Sequence, residues 1–461
     1  MYLKTTSFSF VENLRDMIVM KFGGTSVGSS QSIEKVVEII TCEAREKVVV
    51  LSAFSGVTNL LVEINRQYQI EGENIHETIH QLKKRCLDVV LSLFKTATYL
   101  QAAQNFVSLK MKEIEELVET PFHVLTTKKI VAQGEIISTN IFQFFLQERK
   151  IDSLLISALD FMVLDQNNEP NLSLISEKIN PMLKSTNKAV VITQGFICND
   201  SDNNIANLER GGSDYTASLI GAAIGAEEIQ IWTDIDGMHN NDPRFVENTF
   251  SIEEVSFDEA AELAYFGAKI LHPQSLIPAK NNDIPVLLKN TFDPNKKGTL
   301  IKNKTSNEGV TSIAAKDGIT AIKIKSYRML LAYGFLKKVF EVFETYQTPI
   351  DMITTSEVAV SLTIDQQNRL PEIIEELKEF GAVDVDNELS IICVAGNFSQ
   401  KKEGLSAHVF NALRHIPIRM ISYGGSNYNI SLLVKTTDKV RALNALNQQL
   451  FSSELVATVV N

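Results

Sequence analysis

The sequence predicts an α/β protein in two parts: a mostly parallel sheet covered by helices, then a pair of ferredoxin-like modules. Three observations lead there. Short apolar runs alternate with longer helical patterns through the first part of the chain, an internal repeat fills the last third, and the composition is globular, with 44% hydrophobic and 22% charged residues. At about 150 residues per domain, a chain of 461 residues has room for roughly three domains.

The elements follow in order. Residues 1 to 16 interrupt their apolar positions with Ser, Glu, Asn, Arg and Asp and lack the apolar run of a secretory signal, and translation from Met17 is an alternative start. MIVMKF is the first strand, Ser30 to Thr41 a helix, and KVVVLS the second strand. Residues 60 to 150, rich in Leu, Glu, Gln and Lys with few glycines, read as mostly helical. KAVVITQGF, the helix Ser213 to Ile224 and EIQIWT resume the βαβ rhythm, and continuous apolar strands of this kind suit a sheet buried on both faces. Turn formers at Asp293-Pro294-Asn295-Lys296-Lys297-Gly298, followed by the polar stretch Lys302 to Glu308, mark a boundary.

Beyond it, Pro349-Ile350-Asp351-Met352-Ile353 recurs as Pro417-Ile418-Arg419-Met420-Ile421, a separation of 417 − 349 = 68 residues. Each copy has a glycine upstream followed five residues later by Val-Phe, at Gly334 and Gly404, and each is flanked by strand-like runs: TAIKIK and VAVSLTI, then LSIICVAG and NISLLV. Two tandem βαββαβ units of about 70 residues fit that spacing.

Composition excludes several functions. The net charge is −12, from 44 Lys and Arg against 56 Asp and Glu, which argues against a nucleic-acid partner. No apolar run approaches the roughly 20 residues that span a bilayer. Cys42, Cys86, Cys198 and Cys393 make no CxxC pair, so neither a disulfide framework nor a cysteine zinc site is indicated, and a reducing cytoplasm fits best. His76-Glu77-Thr78-Ile79-His80 matches the HExxH zinc pattern literally, but its charged helical neighbourhood reads as a solvated face.

Three glycine turns sit at strand ends before helices: Lys21-Phe22-Gly23-Gly24-Thr25-Ser26-Val27-Gly28, Ser52-Ala53-Phe54-Ser55-Gly56-Val57-Thr58-Asn59 and Arg210-Gly211-Gly212-Ser213-Asp214. Such turns offer backbone N–H groups and a helix dipole to phosphate. Walker A, G-x-G-x-x-G and the HRD and DFG signatures are absent, so a different nucleotide fold is needed.

VMKFGGTSVG, VVVLSAFSGVTNLL, GEIIST, GFI followed by RGGSDYTA, IWTDIDGM followed by DPR, and LAYFGAKILHP occur in the order that resembles the aspartate kinases of the amino acid kinase superfamily. The resemblance runs from Met17 to the C-terminus and divides the chain into an extension at 1–16, a catalytic domain at 17–300 and ACT domains at 301–388 and 389–461. It implies transfer of the ATP γ-phosphoryl group to the β-carboxylate of L-aspartate, with Mg²⁺ accompanying ATP and no dedicated protein metal cage. By the same match Lys21 neutralises the transferring phosphoryl group beside Gly23 and Gly24, and Asp214 orients that lysine. Lys269, Thr233, Asp234 and Arg244 would hold the nucleotide; Ser52, Thr58, Glu135, Arg210 and Ser213 would line the aspartate pocket. A carboxylate nucleophile of pKa about 4 is ionised at neutral pH and needs no general base, which suits a site without histidine.

The chain departs from the family pattern at Glu209, where glycine is common, at Cys198 and at His239, where tyrosine is usual. A catalytically silent amino-acid sensor is the alternative those departures favour. The first repeat resembles the lysine-inhibited class: Asp351 would pair with the ammonium of an L-lysine effector, Met329, Phe335, Leu336 and Ile350 would flank its stem, and Ser356 would add a polar contact. The paired ACT modules imply at least a homodimer. About 160 residues follow the catalytic domain, too few for a fused homoserine dehydrogenase.

Overall fold

A computed structural model describes residues 17–208, 211–266, 271–305, 309–326, 333–398 and 404–451. The chain divides into two compact units, one formed by residues up to 238 with 253–257 and 271–305, the other by 239–252, 258–270 and 306 onward.

The first unit contains β1 (Ile18–Phe22), α1 (Ser30–Cys42), β2 (Lys47–Leu51), α2 (Val57–Gln69), α3 (Ile75–Leu93), α4 (Ala97–Val118), α5 (Val124–Glu148), β3 (Ser153–Leu155), α6 (Ala158–Phe161), α7 (Leu172–Lys184) and β4 (Val190–Gln194). It continues through the small hairpin β5 (Ile197–Asn199) and β6 (Ile205–Asn207), then α8 (Gly212–Ile224), β7 (Glu228–Thr233), β8 (Glu254–Ser256), α9 (Phe257–Phe266, which passes into the second unit), α10 (Ile277–Asn281), β9 (Val286–Asn290) and β10 (Thr299–Lys302). Eight strands form one sheet in the order β3-β4-β2-β1-β7-β9-β10-β8. The first six are parallel, and β10 runs antiparallel to β9. Strands β1, β2 and β4 are buried along their whole length, the signature of a sheet covered on both faces.

Helices α2 to α5 occupy the segment read as helical, and their apolar stripes meet in one core with the sheet: Leu61, Ile64, Leu82, Val89, Val107, Ile114, Phe142 and Phe145 join Ile18, Met20, Val49 and Ile192. Helix α1 starts where Ser29 Oγ accepts from the Ser32 N–H, satisfying one of its free first-turn donors. Helix α8 is closed at both ends by left-handed glycines, Gly211 at φ 72° and Gly225 at φ 64°.

The second unit carries β11 (Gly309–Lys325), α11 (Phe335–Thr345), β12 (Met352–Thr355), β13 (Ala359–Ile364), α12 (Leu370–Leu377), β14 (Ala382–Asn397), α13 (Leu405–Ala412), β15 (Met420–Tyr423), β16 (Asn429–Lys435) and α14 (Lys439–Phe451). Its sheet is antiparallel, in the order β12-β13-β11-β14-β16-β15. Each half has the ferredoxin-like order, but the wiring is not a simple tandem. The second half of β11 serves the first module, and its first half, Gly309 to Lys316, pairs with Ile391 to Asn397 and completes the second module. A register shift between Lys316 and Ile319 marks the handover. Helices α11 and α12 cover Ile322, Ile324, Val360 and Leu362, and α13 and α14 cover Ile392, Val394, Ile430 and Leu432.

Among the described residues no helix is long and apolar enough to cross a membrane.

Candidate active site

Four neighbouring parallel strands, β4, β2, β1 and β7, end on one edge of the first sheet, and the expected site residues of this unit cluster there. Ligand sites of open α/β sheets form at this edge, because the turns leaving it expose N–H groups and helix N-termini together.

Lys21, on β1, reaches Asp214 in the first turn of α8, with Nζ 2.6 Å from Oδ1 and both side chains mostly buried. The approach is that of an ion pair, and Asp214 Oδ1 is buried without a hydrogen-bond partner. Gly23 lies beside that ammonium: a Cβ there would stand 3.5 Å from Lys21 Nζ.

After β2, the Ser52 hydroxyl donates to Ser213 Oγ at 2.8 Å, joining the second glycine turn to the start of α8. Ser138 on α5 donates to the Ser52 carbonyl at 2.8 Å, and the Ala53 N–H donates to Glu135 Oε1 at 3.2 Å. Burial pushes the Glu135 carboxyl up to about 7, against the opposing pull of the Ala53 N–H. Among the described residues Glu135 makes no ion pair, and it is a buried acid without a cation partner. Thr58 is exposed at the start of α2.

After β4, Gly195 lets α8 approach: a Cβ at this position would lie 2.2 Å from Ser213 Oγ and 2.4 Å from Ser213 Cβ. Phe196 adopts φ 67°, and its N–H donates to Thr216 Oγ1 at 2.8 Å, which ties the same turn to α8. Thr233 ends β7 and Asp234 follows it, and the Thr233 hydroxyl donates to Asp234 Oδ1 at 3.1 Å. Ser138 and Gly195 were hidden inside the GEIIST and GFI motifs, where spacing gives no hint of their contacts.

Arg210 and Lys269 lie outside the described residues. Arg244 belongs to the second compact unit, where its exposed guanidinium grips Asp242 through Nε to Oδ1 at 2.9 Å and Nη2 to Oδ2 at 2.6 Å.

The amino acid kinase family model matches residues 16–290, more than half of the chain, and an ACT domain model matches residues 392–450. The lysine-sensitive aspartokinase 3 of Escherichia coli is 33% identical across 95% of this chain and 100% of its own length. The chain belongs to the amino acid kinase family, as an aspartokinase. Aspartokinase 2 of Arabidopsis thaliana, a chloroplastic protein, is 34% identical over 95% of this chain and 84% of its own. The crystal structure of the E. coli aspartokinase III in complex with aspartate and ADP superposes with a TM-score of 0.82, at 33% identity and covering 95% of this chain and all of that one. The same E. coli protein in complex with lysine and aspartate superposes with a TM-score of 0.81. An aspartokinase is an ATP-dependent kinase, and the family's α/β fold with its C-terminal ACT region is the fold described above.

The expected effector residues of this aspartokinase lie in the second unit. Phe335, Leu336 and Ile350 pack against the core of the first ferredoxin-like module, Ser356 is exposed at the tip after β12, and Met329 lies outside the described residues. The Asp351 side chain is 2% exposed and already has a cation: Lys316 Nζ stands 2.7 Å from its Oδ1 and 2.9 Å from Asp365 Oδ2. The Tyr265 hydroxyl donates to the same Oδ1 at 2.8 Å, whereas Oδ2 is buried with no hydrogen-bond partner. Desolvation lowers the Lys316 pKa, but the hydrogen bonds to Asp351 and Asp365 outweigh it and the net shift is upward.

Proposed function

We propose that this aspartokinase transfers the γ-phosphoryl group of ATP to the β-carboxylate of L-aspartate, giving 4-phospho-L-aspartate and ADP, and that L-lysine inhibits it. The observation that carries the catalytic half is the convergence of a paired ammonium, Lys21 with Asp214, and a buried carboxyl without a cation, Glu135, on the two sides of the Ser52–Ser213 contact.

In this reading a β-carboxylate oxygen forms a bond to the γ-phosphorus as the bond from phosphorus to the β,γ-bridging oxygen breaks, and no proton has to move. Lys21 stabilises the negative charge of the transferring group, and Asp214 keeps that ammonium on the reaction axis. The Gly23 and Gly24 turn admits phosphate without a side chain in the way. Glu135 takes the substrate ammonium, Ser52, Ser213, Thr58 and Arg210 hold its carboxylates, and Thr233 and Asp234 hold the nucleotide. Mg²⁺ would accompany ATP on its phosphate oxygens, where it would neutralise charge.

For regulation, Asp351 Oδ2 is a buried anionic acceptor in want of a donor, and an effector ammonium supplies one. The relative named lysine-sensitive, and the E. coli structure in complex with lysine and aspartate, support the choice of lysine. We further propose a cytoplasmic homodimer associating through the ACT region; a stable monomer in sedimentation would overturn it. Coupled ADP release with L-aspartate, ATP and Mg²⁺, with and without L-lysine, tests both halves. Aspartate-dependent turnover suppressed by lysine is expected, turnover without suppression removes the effector, and lysine binding without turnover leaves a sensor.

A further inference from the structure

We infer that Arg85 is a positioning residue for phosphoryl transfer, clamping the glycine turn after β1 to the glycine turn after β2 through one backbone carbonyl of each. Its Nη2 donates to the Gly28 carbonyl at 2.6 Å and its Nε to the Ser55 carbonyl at 3.1 Å.

The two acceptors are equivalent in the fold. Gly28 immediately precedes Ser29, the N-cap of α1, and Ser55 immediately precedes Gly56, the N-cap of α2. One guanidinium therefore holds the same position ahead of two helices. Because the peptide unit is planar and trans, a carbonyl held toward α3 turns the following N–H, of Ser29 and of Gly56, the opposite way.

The turns already interlock. The Ser55 N–H donates to the Gly24 carbonyl at 3.1 Å; a Cβ on Gly24 would stand 3.0 Å from the Ala53 carbonyl oxygen, and one on Gly28 would stand 2.9 Å from Ser55 Cβ. Arg85 closes this arrangement from outside, anchored by its neighbours Leu82, Cys86 and Val89 in the core face of α3. Its planar fork presents two N–H groups in a fixed relation, which a lysine ammonium on a flexible stem does not reproduce.

The consequence rests on the site proposed above. The first turn carries Gly23 and Gly24 beside Lys21, and the second carries Ser52 and Thr58, so their spacing is the spacing of phosphoryl donor and acceptor. Misplacing reacting groups by about 1 Å costs on the order of 10²-fold in rate. Arg85 touches neither substrate in this reading and acts through the two turns.

The test compares wild type with Arg85→Met and Arg85→Lys in the full-length enzyme, measuring kcat, both KM values, melting temperature and amide exchange over residues 23–30 and 52–59. The expected result is a kcat lower by about 100-fold in Arg85→Met, with both turns exchanging faster together and the rest of the unit unchanged. Arg85→Lys should keep the melting temperature and recover little of kcat. Wild-type kcat in Arg85→Lys overturns the inference, as does a loss of kcat accompanied by faster exchange throughout the unit. Absence of aspartate-dependent turnover in the wild type would instead fall on the site assignment, and paired loosening of the two turns would still support the clamp.

Discussion

Lys316 Nζ lies 2.7 Å from Asp351 Oδ1, so the carboxylate expected to receive an effector's ammonium is neutralised by an ammonium of its own chain. An arriving effector must share that carboxylate through Oδ2 or displace Lys316 toward Asp365, 2.9 Å away. Removing the internal cation leaves a nearly fully buried charge uncompensated, which costs about 3 kcal/mol at the low end for buried pairs. Lys316→Met is therefore expected to melt lower than wild type without lysine, to gain a larger melting-temperature increase on adding lysine, and to be inhibited at lower lysine concentration. An equal lysine response in wild type and variant would show that Asp351 is not the ammonium's partner. Tyr265, which shares Oδ1, lies four positions before Lys269 in LAYFGAKILHP, so the kinase motif and this carboxylate meet in one stretch of chain.

The Lys21–Asp214 pair gives a second prediction. If Lys21 meets the transferring phosphoryl group, Lys21→Ala loses one charged donor at the point where charge develops, and kcat should fall by about 10²- to 10³-fold with the fold intact. Asp214→Asn keeps the shape and drops the charge that holds the ammonium, so a smaller loss of kcat is expected. Steady-state ADP release checks both, and a Lys21→Ala enzyme with wild-type kcat would remove Lys21 from the reaction.

The strands were legible because burial on both faces leaves an unbroken apolar run: MIVMKF, KVVVLS and EIQIWT became Ile18–Phe22, Lys47–Leu51 and Glu228–Thr233. The 68-residue repeat likewise announced two similar modules. It could not announce that Gly309 to Lys316, ahead of the first copy, completes the second, because strand pairing across the sheet leaves no periodic mark. Of the motif residues, Lys21 pairs with Asp214 and Ser52 with Ser213. Arg85 and Lys316 stayed invisible: neither belongs to a motif, and their partners Gly28 and Asp351, 57 and 35 residues away, are selected by tertiary folding alone.

Gly195 is a packing prediction. Adding a methyl group would drive it into Ser213 Oγ at 2.2 Å and Cα at 2.8 Å, and the backbone contact cannot rotate away. The first turn of α8 would have to shift, taking Asp214 off Lys21 and breaking the Ser52–Ser213 contact. Overpacking of this kind costs about 1–3 kcal/mol, so Gly195→Ala should lower the melting temperature modestly and kcat strongly. An unfolding curve and ADP release measured on the same preparation separate the two, and unchanged kcat would mean that α8 absorbs the methyl without moving its first turn.

Glu135 links the site to pH in two directions. Its carboxyl is raised from 4.5 to about 7 by burial, against the Ala53 N–H, so between those values the folded state holds a proton that the unfolded chain has released. The stability from this group is fully present below about pH 4.5 and is lost as pH rises through about 7. Catalysis has the opposite sign. If Glu135 takes the substrate ammonium as a carboxylate, kcat/KM for aspartate should rise as pH passes upward through about 7, whereas kcat, read with aspartate already bound, should keep its value to lower pH because the ammonium favours the charged form. Glu135→Gln removes the titration: this acid limb of kcat/KM disappears, stability gains at pH 8 relative to wild type, and KM for aspartate rises by about 10-fold or more, the worth of a charged hydrogen bond. Retention of the limb near pH 7 in Glu135→Gln would assign the titration, and with it the recognition of the ammonium, to another group.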